Sequence, residues 1–275
     1  MIYHRISDWT DAYSNGIHIA GGDRWPEAWV APAAAFRERL VAENRAELGI
    51  AYGPGERNRF DLFLPSGEPA GLVVFVHGGY WMNFDSSSWS HLAAGPVAAG
   101  YAVAMPMYTL CPQVRISAIT REIGAAIDAA AARIAGPIAL TGHSSGGHLV
   151  SRMICAASPL SPATLARIRN TVSISGLHDL RPLMRAKLND TLRLDDREAV
   201  AESPALLEPV PGARLFAWVG LNERAEFIRQ SELLANIWRG LGASTAFHAE
   251  PDRHHFDIVD GLTDAEHPLT RVLLS

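Results

Sequence analysis

An apolar run, Pro137-Ile-Ala-Leu-Thr141, passes without a break into Gly142-His143-Ser144-Ser145-Gly146-Gly147, and a helix-forming stretch follows to about Ala157. Few folds can use such a junction. A strand that turns into a helix around a single residue forces that residue into a strained backbone, and bulky neighbours would collide there, so small residues flank it. The apex residue, Ser144, then stands clear of the sheet edge beside the positive end of the helix. The spacing G-x-S-x-G is weak by itself, because glycine and serine are common. The flanking strand and helix make it specific, and they predict a nucleophilic serine at 144.

The rest of the chain has the alternation that such a junction requires. Strands are predicted at Phe60–Pro65, Gly71–Val76, Tyr101–Met105, Pro137–Thr141, Thr171–Ser175, Arg214–Val219 and Ser244–His248. Helices are predicted at Ala33–Asn44, Ser88–Ala99, Ile116–Ile134, Glu226–Leu241 and Pro268–Leu274. Strands separated by helices imply a mainly parallel sheet with helices on both faces, the α/β-hydrolase architecture. With 275 residues, 48% of them hydrophobic and 19% charged, the chain suits one domain spanning 1–275. Residues 1–48 read as a cap segment over the site. Residues 176–212, polar and carrying Pro182, Pro204, Pro209 and Pro211, read as an insertion between late strands.

Net charge is −5 and no Lys/Arg block stands out, which argues against nucleic-acid and anionic-membrane partners. No apolar run reaches the ~20 residues of a membrane span. The start Met1-Ile-Tyr-His-Arg5 lacks the basic and apolar regions of a secretory leader. Cys111 and Cys155 fit no metal or C-x-x-C spacing, so a reduced cytoplasm is the expected location and Cys111 a bystander thiol.

A serine hydroxyl needs a base, and in this fold the order along the chain is Ser, then Asp or Glu, then His. His254, His255 and His267 are the candidates for the base. His267, before Pro268, reads as a surface residue, and spacing leaves His254 and His255 open. The acid belongs after the strand Arg214–Val219, where Glu223 or Glu226 could hold the imidazole, Glu226 being also a natural exposed helix-start carboxylate. Gly78 and Gly79, after the strand Gly71–Val76, can present backbone N–H groups to a developing oxyanion, with the N–H of Ser145 as partner. His77 reads as a structural residue of that loop. Tyr80, Trp81 and Tyr108 are candidates for an aromatic substrate wall, with packing the favoured role of Trp81.

His77-Gly-Gly-Tyr-Trp81 together with Gly142-His-Ser-Ser-Gly-Gly-His148 resembles the kynurenine formamidase (arylformamidase) family, a branch of the α/β-hydrolases near the hormone-sensitive-lipase-like esterases. The resemblance extends through Tyr52–Pro65, Ser175–Pro182, Glu226-Phe-Ile-Arg-Gln-Ser231 and His255-Phe-Asp-Ile258, and so covers the chain from about Tyr52 onward. It implies His255 as the base and Glu223 as the acid, although the family usually has Asp there, and Arg224-Ala225 stands where Ser-Pro is common. It also implies hydrolysis of a small aryl formamide, N-formyl-L-kynurenine, to L-kynurenine and formate, with no metal or organic cofactor. A carboxylesterase or other small-amide hydrolase on the same machinery is the alternative, since specificity resides in pocket shape. The expected partner is a small-molecule amide or ester. A homodimer is compatible with this fold, but no interface is readable.

Overall fold

In the computed structural model, which describes residues 5–275, the chain builds one eight-stranded sheet. Met1–His4, part of the stretch read as free of a leader, lie outside the described residues. The strands are β1 (Ala46–Ala51), β2 (Arg59–Phe63), β3 (Leu72–Val76), β4 (Ala102–Pro106), β5 (Ile138–His143), β6 (Ile168–Ile174), β7 (Arg214–Gly220) and β8 (Ser244–Glu250). Their spatial order is β1-β2-β4-β3-β5-β6-β7-β8. β1 and β2 pair antiparallel at one edge, β2 runs antiparallel to β4, and every pairing from β4 to β8 is parallel.

The parallel strands are apolar on both sides because both faces are covered. In β3, Leu72, Val74 and Val76 enter one buried cluster while Val73 and Phe75 enter the other. β4 divides in the same way, Ala102 and Ala104 against Val103 and Met105. The helix Ile116–Arg133 seals the first face with Ile116, Ile119, Ile123 and Ile127, spaced by three and four. The helix Trp25–Ala42 seals part of the second with Trp29, Phe36 and Leu40. No helix among the described residues is long and apolar enough to cross a membrane.

Parallel pairing gives this sheet its functional edge. The carboxyl ends of β3, β5, β6, β7 and β8 lie side by side, and the loops that follow them converge there, as ligand sites of open parallel sheets do. Three elements differ from the sequence reading. The helix expected from Ala33 starts at Trp25, because Pro32 is carried inside it instead of marking its boundary. The helix expected over Ser88–Ala99 is a 3-10 segment, Ser86–Ala93, followed by a short helix, Ala94–Ala98. Asp85 caps the start of this segment, its side chain accepting from the Ser87 N–H at 2.8 Å. β1 was not expected, since Ala46–Ala51 alternates only loosely and pairs only at the edge.

Three fully buried histidines give the fold a pH dependence. Burial holds His77 near a pKa of about 4, and His148 and His178 at about 3, against 6.5 for an exposed ring. Between those limits the unfolded chain binds protons that the folded chain refuses, so stability is complete above pH ~6.5 and falls as pH drops toward 4. The urea midpoint is expected to be level near neutrality and to decline steadily through that window. A level midpoint down to pH 4 would show that these rings are charged in the folded protein.

Candidate active site

Ser144 links β5 to the helix Ser145–Met153 with φ +56° and ψ −117°, a backbone that costs a non-glycine residue ~1–3 kcal/mol. The surroundings impose it. The Ser144 N–H donates to the Ile174 carbonyl at 2.8 Å, and the His148 N–H donates to the Ser144 carbonyl at 3.1 Å. The flanking glycines are required by close approach. A Cβ on Gly146 would lie 1.9 Å from the Val76 carbonyl oxygen, and one on Gly142 would lie 2.4 Å from that of Gly146. Ser144 is 2% exposed and borders a cavity of about 680 Å³. Its Oγ makes no hydrogen bond among the described residues in this conformation.

His255 borders the same cavity. It lies in the loop after β8, which is joined to the loop after β7 through backbone bonds. The Leu221 N–H donates to Glu250 at 2.8 Å and the Asn222 N–H to Arg253 at 2.9 Å. Gly220 permits this approach, since a Cβ there would meet the Arg253 carbonyl oxygen at 2.2 Å. The two loops bring Glu223 to His255, whose Nδ1 lies 2.6 Å from Glu223 Oε2. Glu223 Oε1 accepts from Ser175 Oγ at 2.6 Å and from the Gly220 N–H at 2.8 Å. The carboxylate is thus bonded at both oxygens, and His255 donates from Nδ1 and presents Nε2 as an acceptor. The His255 carbonyl is itself held by His143, whose Nε2 donates to it at 2.9 Å. Burial keeps the His143 ring neutral, well below the ordinary histidine pKa.

The other candidates separate clearly. His254 turns away, its Nδ1 3.1 Å from Asp257 Oδ1 and its ring against Trp25. His267 caps the final helix, Pro268–Leu273, accepting from the Leu269 N–H. Glu226 is neither beside His255 nor an exposed helix-start residue. It is buried, accepts from Tyr13 Oη at 2.7 Å and pairs with Arg229 at 2.6 Å. That pairing needs a tyrosine more than two hundred positions away, which local sequence does not reveal.

The loop after β3 lies directly against Ser144. A Cβ on Gly78 would be 3.1 Å from Ser144 Cβ, and Gly79 has φ +115°. Among the described residues, the N–H groups of Gly78, Gly79 and Ser145 take no part in backbone hydrogen bonds. His77 fixes the loop from beneath, donating from Nδ1 to the Gly78 carbonyl at 2.7 Å. Tyr108 stacks on His77 at 4.4 Å and donates to its carbonyl. Tyr108 is therefore behind the site and does not line the cavity. Trp81 is also buried, packed edge-on against His148. Tyr80 does line the cavity, and its hydroxyl donates to the Tyr13 carbonyl.

The largest part of the cavity wall comes from the N-terminal segment, with Tyr13, Asn15, Ile17, Ile19, Pro26 and Trp29 among its residues. Phe84, Trp89 and Phe256 add aromatic surface. Cys111 and Cys155 are both buried in the core, where burial raises each thiol to about 11. A buried acid, an imidazole oriented by it, a serine on a strained turn and unused backbone donors beside that serine can together carry out acyl transfer.

Comparison with known proteins places this geometry among relatives. The BD-FAE family pattern matches residues 60–187. The kynurenine formamidase of Danio rerio is 25% identical over 98% of this chain and 98% of its own. A crystal structure from Silicibacter sp., of a protein described as a candidate thioesterase, superposes with a TM-score of 0.91 at 49% identity, covering 96% of this chain and 98% of that one. An esterase of Pyrobaculum calidifontis shares the fold, with a TM-score of 0.69 at 17% identity over 92% of this chain and 90% of its own.

Proposed function

We propose that this α/β-hydrolase, an amide or ester hydrolase similar to the kynurenine formamidases, cleaves a small aryl formamide, N-formyl-L-kynurenine, to L-kynurenine and formate. Ser144 Oγ attacks the formyl carbon while His255 Nε2 takes its proton. Glu223 holds the imidazole and stabilises the imidazolium that forms. The N–H groups of Gly78, Gly79 and Ser145 receive the developing oxyanion, each donor contributing ~3 kcal/mol to transition-state stability. His255 then protonates the departing aryl amine. Water, deprotonated by the same nitrogen, releases formate from the serine. No step needs a metal or organic cofactor. We assign the enzyme to the cytoplasm, because both its cysteines are unbridged.

The observation that carries the aryl substrate is the cavity itself, a bounded space against Ser144 with walls of Tyr80, Phe84, Trp89, Trp29 and Phe256. The N-terminal segment acts as its cap. A second reading, hydrolysis of a small ester or thioester by the same residues, is favoured by the Silicibacter likeness and by the lack of Lys or Arg among the described residues of the cavity wall to meet an amino-acid carboxylate. Turnover of N-formyl-L-kynurenine beside p-nitrophenyl acetate decides between them. A kcat/KM above ~10⁴ M⁻¹s⁻¹ on the formamide is expected for a native substrate. Ester turnover with negligible formamide cleavage would move the assignment to the second reading.

Tyr80 allows a finer test of the oxyanion loop. Its backbone is left-handed, φ +51°, and the hydroxyl bond to Tyr13 helps to hold it there. Tyr80→Phe keeps the aromatic wall and removes only that bond, worth ~1 kcal/mol. The expected result is a fall in kcat of about five- to tenfold at nearly constant KM. A rise in KM alone would make the hydroxyl a substrate contact instead.

A further inference from the structure

Beyond its aryl formamide, an amino-acid substrate carries an α-carboxylate and an α-ammonium, and each needs a partner in the cavity or at its rim. No Lys or Arg is among the described lining residues, but one guanidinium stands directly beside them. Gly21, Gly22, Asp23 and Pro26 border the same cavity as Ser144 and His255. The chain doubles back here, the Arg24 N–H donating to the Gly21 carbonyl at 3.0 Å. The Arg24 side chain lies against Gly21, so that a Cβ on this glycine would be 3.1 Å from Arg24 Nη2 and 3.4 Å from Nε. Glycine meets two needs at this position. Its φ of +65° is left-handed, and its missing side chain leaves room for the guanidinium. Gly22 packs the same turn against Gly16, whose carbonyl oxygen would lie 2.0 Å from a Cβ.

The charges at this rim are unspent. Arg224 and Arg229, which also serve the N-terminal segment and its neighbours, are paired with Asp11 and Glu226. Arg24 is exposed, and among the described residues its side chain enters no hydrogen bond and no ion pair. Its planar fork of N–H donors is therefore open to a carboxylate, the group it fits best. Asp23 is exposed as well, lines the cavity, and is likewise in no ion pair among the described residues.

We propose that Asp23 and Arg24 form a head-group subsite for a zwitterionic α-amino acid, Arg24 donating to its carboxylate and Asp23 receiving its ammonium. The proposal rests on reading the cavity beside Ser144 as the site of an aryl formamide, and it adds the part of the substrate that sets specificity. A small ester without a charged head would gain nothing from this rim.

The test is binding, read by calorimetry on the intact protein and therefore separate from turnover. The probes are L-kynurenine, kynuramine, which lacks only the carboxylate, and 3-(2-aminobenzoyl)propanoate, which lacks only the ammonium. The wild-type protein is expected to prefer L-kynurenine to either analogue by about fivefold, the scale of an exposed but well-matched charge pair. The net charge of −5 would by itself favour the cationic kynuramine, so a preference for L-kynurenine reports a local contact. Arg24→Gln is expected to erase the preference over kynuramine and leave kynuramine affinity unchanged. Asp23→Asn is expected to weaken L-kynurenine and kynuramine alike, by about threefold, and to spare the propanoate. Equal wild-type affinity for L-kynurenine and kynuramine, or parallel weakening of all three probes by Arg24→Gln, would overturn the proposal, even in an enzyme that cleaves aryl formamides. A protein that binds the probes as stated but leaves aryl formamides intact would reject the formamidase reading alone.

Discussion

Ser144→Ala is expected to abolish hydrolysis, with kcat falling about 10⁶-fold, and to leave the fold intact. The size of the effect follows from what is removed. In the proposed mechanism the hydroxyl forms the acyl intermediate, and the remaining donors and walls supply a residual acceleration over water. The preservation of structure follows from what stays. Alanine has the same Cβ, so the strained φ of +56° is no worse, and both backbone bonds of Ser144 survive. Stability within ~0.5 kcal/mol of wild type is therefore expected. The measurement is single-turnover release of product together with the urea midpoint. A folded variant that retains more than about one part in a hundred of the activity would remove Ser144 from the role of nucleophile.

The elbow was legible in the sequence because its physics is local. Gly142 and Gly146 sit two positions from the serine whose turn they permit, and the clashes that exclude side chains there come from the turn and the adjacent β3. The mainly parallel pairing followed from apolar runs alternating with helices. What was not legible depends on distant partners or on direction. Tyr80 and Trp81 are consecutive, both with positive φ, yet one faces the cavity and the other packs on His148. No spacing rule assigns such a pair. The loop-supporting role of Tyr108 beneath His77 is hidden for the same reason. Tyr13, Asn15 and Trp29 come from a segment without a motif, and they become wall residues only when that segment lies across the sheet edge. In the sequence Ser175 reads only as the end of the strand Thr171–Ser175 and the start of the segment Ser175–Pro182. Its bond to Glu223 requires both the left-handed φ of +52° after β6 and the loop after β7.

Glu223→Gln is expected to lower kcat by about 10⁴-fold, with far less change from Glu226→Gln. The hydrogen bonds around residue 223 dictate the mechanism of this loss. Oε1 accepts from the Gly220 N–H and from Ser175 Oγ, and Oε2 accepts from His255 Nδ1. A glutamine has one acceptor and one donor end. The backbone N–H of Gly220 cannot become an acceptor, so the amide oxygen must remain on that side. The amide NH₂ then faces His255 Nδ1, which can meet it only by giving up its proton. The imidazole is driven to the tautomer protonated at Nε2, the nitrogen that must accept the serine proton. The site keeps its shape and loses its base. Glu226 is hydrogen-bonded to Tyr13, Arg229 and Gln230, not to His255. Its replacement weakens the Arg229 pair and the support of Tyr13, which predicts a loss within about tenfold and a lower stability. The two variants, compared in kcat and in urea midpoint, separate these effects. If Glu226→Gln proved the slower enzyme, the acid would be Glu226 acting after a rearrangement of the start of its helix, and the bond between Glu223 and His255 would be structural.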